Sequence, residues 1–259
     1  MTRSATYLYA VSRPIPPVAV LGLRGIGGGC VRALPVGDLT CVVSSADLTE
    51  FDEEPLRENL ENLGWLERVA RQHDDVVQAV AALATTVPLR LATICRDDSS
   101  ARERVQTLHG EALRVLEVLD GREEWGVKLY DVREPAAEPA GAAVGAVAAG
   151  GTSGTAYLQR RREQLAQQAR AGEAAAEDAD RFFAQVGAAA VLSKRHRPQD
   201  PHLSGVASPM LLNASFLVDR ERSTGFRAAV DRLAGDRPPG AVVLTGPWPA
   251  YSFAALEEA

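Results

Sequence analysis

The sequence predicts an α+β protein of two domains. A mixed α+β domain is expected over residues 1–121, and a modified ferredoxin-like domain over residues 122–259. Three features support this. Segments with a two-residue apolar period alternate with segments of helical period. From Glu124 onward the order is strand, long helix, strand, strand, helix, strand, which is the split βαβ arrangement. Gly121, directly after a helical pattern, provides the break between the two halves.

In the first half, residues 5–12 (ATYLYAVS) read as a strand, rich in aromatic and β-branched types. Pro14, Pro16, Pro17, Gly25, Gly27, Gly28 and Gly29 mark residues 13–29 as a flexible connection. The apolar runs Cys30–Leu34 and Leu39–Ala46 flank Pro35-Val36-Gly37-Asp38 and predict a hairpin. Pro55, with Asp52, Glu53 and Glu54 around it, suits the positive end of a helix. From Trp65, the positions Leu66, Val69, His73, Val76, Val77, Val80 and Leu83 recur three and four apart, so one helical stripe faces a core. Residues 88–95 read as a buried strand. Ser100 with Glu103 resembles a capping box at the head of the next helix, whose inner face carries Val105, Leu108, Ala112, Val115, Leu116 and Leu119.

In the second half, Trp125, Val127 and Leu129 alternate with Gly126, Lys128 and Tyr130, so residues 124–132 form a half-buried strand. Residues at about 134–154 are almost all Ala, Gly, Pro, Ser and Thr, too poor in apolar surface to fold alone, and are expected to be a flexible loop. A long helical region follows from Tyr157 to about Ala190, with a possible interruption near Gly172. Val191-Leu192-Ser193 begins a short strand. Met210, Leu212, Ala214, Phe216 and Val218 give the clearest alternation in the chain. Residues 223–234 form a helix with Phe226, Val230 and Leu233 inward, and residues 241–245 form the last strand.

Composition bounds the function. The chain has 259 residues, 46% hydrophobic and 24% charged, so it can bury a core without disulfides. A net charge of −6 argues against a general nucleic-acid binder, which needs clustered Lys and Arg. No apolar run approaches the ~20 residues of a membrane helix, and no signal-peptide pattern opens the chain, so a cytoplasmic protein without a lipid partner is expected. Cys30, Cys41 and Cys95 form no CxxC pair. A Cys30–Cys41 bridge is disfavoured in a reducing compartment.

No constellation of residues suggests catalysis, a cofactor or a metal. Gly25-Ile26-Gly27-Gly28-Gly29 lacks the Lys-Ser/Thr ending of a Walker loop, and its flanks do not fit a dinucleotide fingerprint. The histidines His73, His109, His196 and His202 show no HxxxH or HExxH pairing. His73, on a helix stripe, reads as a core or boundary group. The pairs Asp97-Asp98, Glu123-Glu124 and Glu257-Glu258 are sequence neighbours that do not share a helix face. Arg160-Arg161-Arg162 is a basic run that reads as a solvated face, its functional alternative being a salt-sensitive contact with an acidic partner. Finally, Pro247 and Pro249 stiffen the chain around Trp248, and Tyr251 and Phe253 add aromatic area. These rings could close the core of the second domain or serve as interface anchors.

Several separated motifs stand in order along the chain: Tyr7-Leu8-Tyr9-Ala10; Gly37-Asp38-Leu39 with Cys41-Val42-Val43-Ser44; His73; Thr86-Val87-Pro88-Leu89-Arg90-Leu91-Ala92-Thr93; Glu124-Trp125-Gly126-Val127-Lys128-Leu129; Gly154-Thr155-Ala156-Tyr157-Leu158; and Gly246-Pro247-Trp248-Pro249-Ala250-Tyr251-Ser252-Phe253. Together they resemble the GvpL/GvpF gas vesicle proteins. Leu91-Ala92 stands where the family pattern has Phe-Gly, and Ala250 where it has a second Pro. The resemblance implies a non-catalytic role in gas vesicle assembly, in the cytoplasm and associated with the vesicle, with no cofactor. Its implied partners are the hydrophobic gas vesicle shell protein (GvpA-type) and other accessory gas vesicle proteins. The candidate partner-binding residues are Arg160, Arg161, Pro247, Trp248, Tyr251 and Phe253.

Overall fold

The computed structural model describes residues 4–132, 153–199 and 208–256. It is a mixed α+β structure with two sheets. The chain divides into two compact units: Met1–Glu124 together with Gly246–Ala259, and Trp125–Thr245. The final segment therefore groups with the first unit, whereas the sequence reading placed it in the second domain. Most of the expected Ala/Gly-rich loop at about 134–154 lies outside the described residues.

The first unit is built on β1 (Ser4–Ser12), which lies between β3 (Leu39–Asp47) on one side and two short strands, β4 (Thr86–Pro88) and β5 (Ile94–Cys95), on the other. β2 (Arg32–Val36) pairs with β3 and forms the edge. Its Pro35 suits that place, since an edge strand tolerates a missing donor. Gly37, at φ +61, makes the tight β2–β3 turn. The β1–β3 register shifts between Leu8 and Ala10, a bulge at Tyr9.

The helices follow local chemistry. Asp47 caps α1 (Leu48–Phe51), Asp52 caps α2 (Glu53–Leu60), and Asn62 caps α3 (Leu63–Ala81), each side chain accepting a backbone N–H of the first turn. α3 buries Trp65, Val69, His73, Val76, Val77 and Val80 against the sheet. Leu83, expected on that stripe, lies beyond the helix end and is exposed. On β1, Tyr7 and Tyr9 point to this core. Thr6 faces α4 (Asp98–Thr107), where its hydroxyl donates to Asp98 at 2.8 Å.

Two expectations about this unit change. The cap of α4 is Asp97, which accepts from Ser100 N–H at 2.8 Å, so Ser100 lies inside the helix rather than at its head. Leu108 breaks the expected single helix into α4 and α5 (His109–Leu119). The expected strand over 88–95 is also broken. β4 and β5 are separated by a turn in which Ala92 adopts φ +60, a conformation that costs an L-residue roughly 1–2 kcal/mol. A glycine relieves that strain and gives back part of it through a more flexible unfolded chain. Ala92→Gly is therefore expected to raise stability by about 0.5–1 kcal/mol, read from the denaturant midpoint at unchanged slope. A lower midpoint would show that the Ala92 methyl contributes packing that outweighs the strain.

The second unit is a four-stranded sheet in the order β7-β8-β6-β9, where β6 is Arg122–Tyr130, β7 Leu192–His196, β8 Met210–Asp219 and β9 Val242–Trp248. α6 (Ser153–Gly187) and α7 (Ser223–Gly235) share its core. Trp125, Val127 and Leu129 from β6, Phe216 from β8, Phe182 and Val186 from α6, and Phe226 and Val230 from α7 pack together. Phe226 meets Trp125 and Phe216 at ring separations of 6.1 and 5.8 Å, within the range of favourable aromatic pairs. α6 runs through Gly172 without interruption. Arg237 clamps Asp178 of α6 at 2.6 and 3.1 Å and covers the Phe182 ring. That clamp holds the Asp178 carboxyl below its ordinary pKa.

Candidate functional site

The most specific polar arrangement of the first unit is buried between β1 and α3. The bulge at Tyr9 leaves the Tyr7 and Tyr9 rings 4.9 Å apart and tilted by 46°, with His73 of α3 at 5.7 and 5.5 Å from their rings. All three are buried. The Tyr7 hydroxyl accepts from Ala92 N–H at 2.9 Å, so it can donate to His73 Nδ1, 3.0 Å away. That leaves the proton of neutral His73 on Nε2, a buried atom with no well-aligned hydrogen bond among the described residues. Burial pushes the His73 pKa down to about 4, while the nearby Leu89 carbonyl and the Asp74 charge oppose that shift. Burial likewise raises the pKa of both tyrosines. His73 is thus a neutral core group.

Tyr9 holds the glycine-rich segment. Its hydroxyl accepts from Ile26 N–H at 2.7 Å and pairs with Ser44 Oγ at 2.7 Å. Residues 26–28 form a 3-10 turn closed by Gly25 N–H donating to the Gly29 carbonyl at 2.8 Å. The expected flexible connection is therefore pinned here. Gly25 is required by proximity rather than by its torsion: a Cβ would enter the space of the Tyr9 hydroxyl.

The C-terminal segment docks on this unit through specific bonds. Tyr251 donates to Asp74 at 3.1 Å, and its ring lies 6.3 Å from that of His73. Burial is the first cause of its raised pKa, with the Asp74 charge adding to it. Ser252 donates from its backbone N–H to Glu124 Oε2 at 2.8 Å and from its hydroxyl to Oε1 at 2.5 Å. Ala250 and Ala254 are the buried residues of the segment.

The candidate partner-binding residues fall in two places. Pro247, Trp248, Tyr251 and Phe253 lie together on the C-terminal segment, with Pro247 and Trp248 at the end of β9 and Tyr251 and Phe253 in a 3-10 turn. The prolines do not end the strand at Thr245, since β9 continues to Trp248. Trp248 is 43% exposed and Tyr251 38% exposed, so neither ring is sealed into the second unit's core, which Trp125, Phe182, Phe216 and Phe226 fill. Arg160 and Arg161 are exposed on the N-terminal half of α6. Asp74 and Glu124, which anchor the segment, were not singled out as site residues. The Glu123-Glu124 pair was the one visible signal; Glu124 is buried in the structure, where a carboxylate needs donors.

A cleft of about 480 Å³ in the second unit is bordered by Tyr130, Asp131, Asp178, Gln185, Asp236 and Arg237. Among the described residues its lining contains no Ser, Cys or His, and its guanidinium is engaged on Asp178. Among the described residues, no three His, Cys, Asp or Glu side chains gather as metal ligands, and no helix is long and apolar enough to cross a membrane. Cys30, Cys41 and Cys95 are free thiols, with burial pushing Cys41 up to about 12.

The family model for the gas vesicle synthesis protein GvpL/GvpF matches residues 5–255. The chain belongs to the GvpL/GvpF family. It is similar to gas vesicle protein L of Streptomyces sp. (strain CB03234), 45% identical over 255 residues, covering 97% of this chain and 93% of that one. It is 29% identical to gas vesicle protein F of the same strain over 259 residues, covering 96% and 99%. The fold matches the crystal structure of GvpF from Anabaena sp. PCC7120, with a TM-score of 0.68 at 18% identity, covering 98% of this chain and all of that one. It also matches GvpF from Microcystis aeruginosa, with a TM-score of 0.64 at 17% identity, covering 97% and 99%. The motifs Tyr7-Leu8-Tyr9-Ala10, His73 and Gly246–Phe253 meet in space in this GvpL/GvpF chain: the first two form the buried network and the third supplies Tyr251 beside it.

Proposed function

We propose that this protein is a non-catalytic assembly factor for gas vesicles, which binds the hydrophobic shell subunit and other accessory gas vesicle proteins in the cytoplasm. The observation that carries the reading is the family match over residues 5–255, joined to an exposed Pro247-Trp248 pair at the root of an anchored segment. A shell subunit with a large apolar surface requires a soluble partner before assembly. A Trp fixed by its backbone loses little entropy on docking, which suits it to be an anchor. The split βαβ reading of the second half, without the final segment that groups with the first unit, is part of the proposal and is supported by the strand order β7-β8-β6-β9.

The test is photocrosslinking from position 248 in cells co-expressing the shell subunit, with the adduct mapped. Trp248→Ala is expected to leave the unfolding free energy within about 1 kcal/mol of the parent, as for a half-exposed side chain, and to weaken capture of the shell subunit about tenfold or more. Capture that is unchanged in this variant removes Trp248 from the interface. A structural role in the vesicle wall is the second reading. Retention of this protein on purified vesicles through stringent washing supports it, and loss on washing supports the assembly factor.

A further inference from the structure

α6 contains a surface that none of the described residues covers. Leu158, Leu165, Gly172, Ala179 and Val186 recur every seven residues, so they follow one slowly drifting line along the helix. At the C-terminal end this line is core: Ala175, Ala179, Phe182 and Val186 are buried against the sheet. At the N-terminal end it is bare. Residues 157–174 are exposed on every side, a stretch of about 27 Å at the helical rise. Leu158 is 60% exposed and Leu165 50% exposed on that same line, with the exposed Tyr157 beside them. Most helix stability in proteins comes from packing an apolar face, which this half of the helix does not do against the described residues.

The charge around the bare stripe is one-sided. Residues 157–174 carry Arg160, Arg161, Arg162 and Arg170 against Glu163 and Glu173, in a chain whose net charge is −6. Arg161 falls on the stripe between Leu158 and Leu165, and Arg160 and Arg162 lie on its two flanks. A second copy of the same helix would bring arginines against arginines. An acidic amphipathic helix would place leucines on the stripe and carboxylates along both rims, the arrangement that sets partner choice in coiled-coil pairs.

We propose that the N-terminal half of α6, with Tyr157, Leu158 and Leu165 as its apolar stripe and Arg161 and Arg162 as its charged positions, docks an acidic amphipathic helix of a partner protein. This deepens the assembly-factor reading and rests on that reading only for the partner's identity. The docked helix extends the packing that Ala175, Ala179, Phe182 and Val186 already make in the fold.

The test uses the purified full chain and a labelled synthetic helix of about three heptads, with Leu at the first and fourth positions and Glu at most others, and a twin in which Lys replaces Glu. Fluorescence anisotropy is expected to show binding of the acidic helix and none of the Lys twin. Raising NaCl about tenfold should weaken binding about tenfold, because the contacts are rim charges. Leu165→Glu and Arg161→Glu should each weaken it about tenfold, and R161E should gain affinity for the Lys twin, a gain that no folding defect imitates. Equal binding of both peptides, or binding of neither, overturns the proposal. So does concentration-dependent self-association that Leu165→Glu abolishes, which assigns the stripe to a second copy. The peptide measurement contains no vesicle component, so its failure leaves the assembly reading standing, and loss of shell-subunit capture leaves the peptide result standing.

Discussion

Acidification from pH 7 to pH 4 is expected to remove about 3 kcal/mol from the stability of the first unit through His73 alone, at ~1.4 kcal/mol per pKa unit. In the folded protein the ring stays neutral until about pH 4. In the unfolded chain it takes up a proton near pH 6.5. The unfolded state therefore binds more protons throughout that window, and stability falls as the pH falls through it. Above pH 6.5 the full contribution is present. The cause is structural: Tyr7 and Tyr9 surround the imidazole, Nδ1 accepts from Tyr7, and no carboxylate bonds to either nitrogen. The carboxylates titrate lower. Ser100 holds Asp97 down, and at Asp98 burial opposes ionisation but is outweighed by the bonds from Arg32 and Thr6. Their losses begin at about pH 5, at the lower end of the His73 window, and continue below it. Denaturant titrations across pH 4–7 on the parent and on His73→Leu check this. The variant should be less stable at pH 7, since Tyr7 loses its acceptor, and should show a flatter pH dependence. Parallel curves for the two proteins would place the acid sensitivity elsewhere.

Gly25→Ala is expected to cost about 3 kcal/mol, the sum of overpacking and a broken buried hydrogen bond. The new methyl would occupy the space of the Tyr9 hydroxyl and press on Ser44 Oγ at 3.0 Å. Tyr9 is fully buried between β1 and α3 and has no free direction in which to move. The loop must move instead, which breaks the Ile26 N–H bond to Tyr9. Tyr9→Phe alone should cost about 1–2 kcal/mol by leaving Ile26 N–H unpaired. The double variant should be more stable than the sum of the two by about 1 kcal/mol or more, because removing the hydroxyl makes room for the methyl. Additive losses would mean that the clash is relieved some other way, and that the loop is not held by Tyr9.

Much of this architecture could be read from period and punctuation. The α3 stripe and the β8 alternation are strong local patterns, and both pack as their periods require. What was misread depended on partners distant in sequence. Residues 25–29 look like a flexible connection because nothing nearby restrains them; the restraint is the Tyr9 hydroxyl, sixteen or more positions away. The 88–95 segment looks like one strand because its composition is apolar. Its turn is set by Ala92 N–H reaching Tyr7 and by Leu89 N–H reaching the Tyr9 carbonyl. The α4 cap was misplaced by three residues because Ser and Asp are both good caps; at this site Asp97 is the residue that accepts from Ser100 N–H.

The Gly246–Phe253 segment divides the two kinds of information most clearly. Its order of Pro, Trp, Tyr and Phe was sufficient to connect the chain with a family, since a motif is a property of sequence. Its place was not, because Glu124 and Asp74 lie about 130 and 180 positions away and no local rule links them to Ser252 and Tyr251. Local periodicity and capping set where helices and strands form. Long-range hydrogen bonds between buried groups, which must be satisfied wherever the partners sit in the chain, determined the unit in which the last segment was anchored.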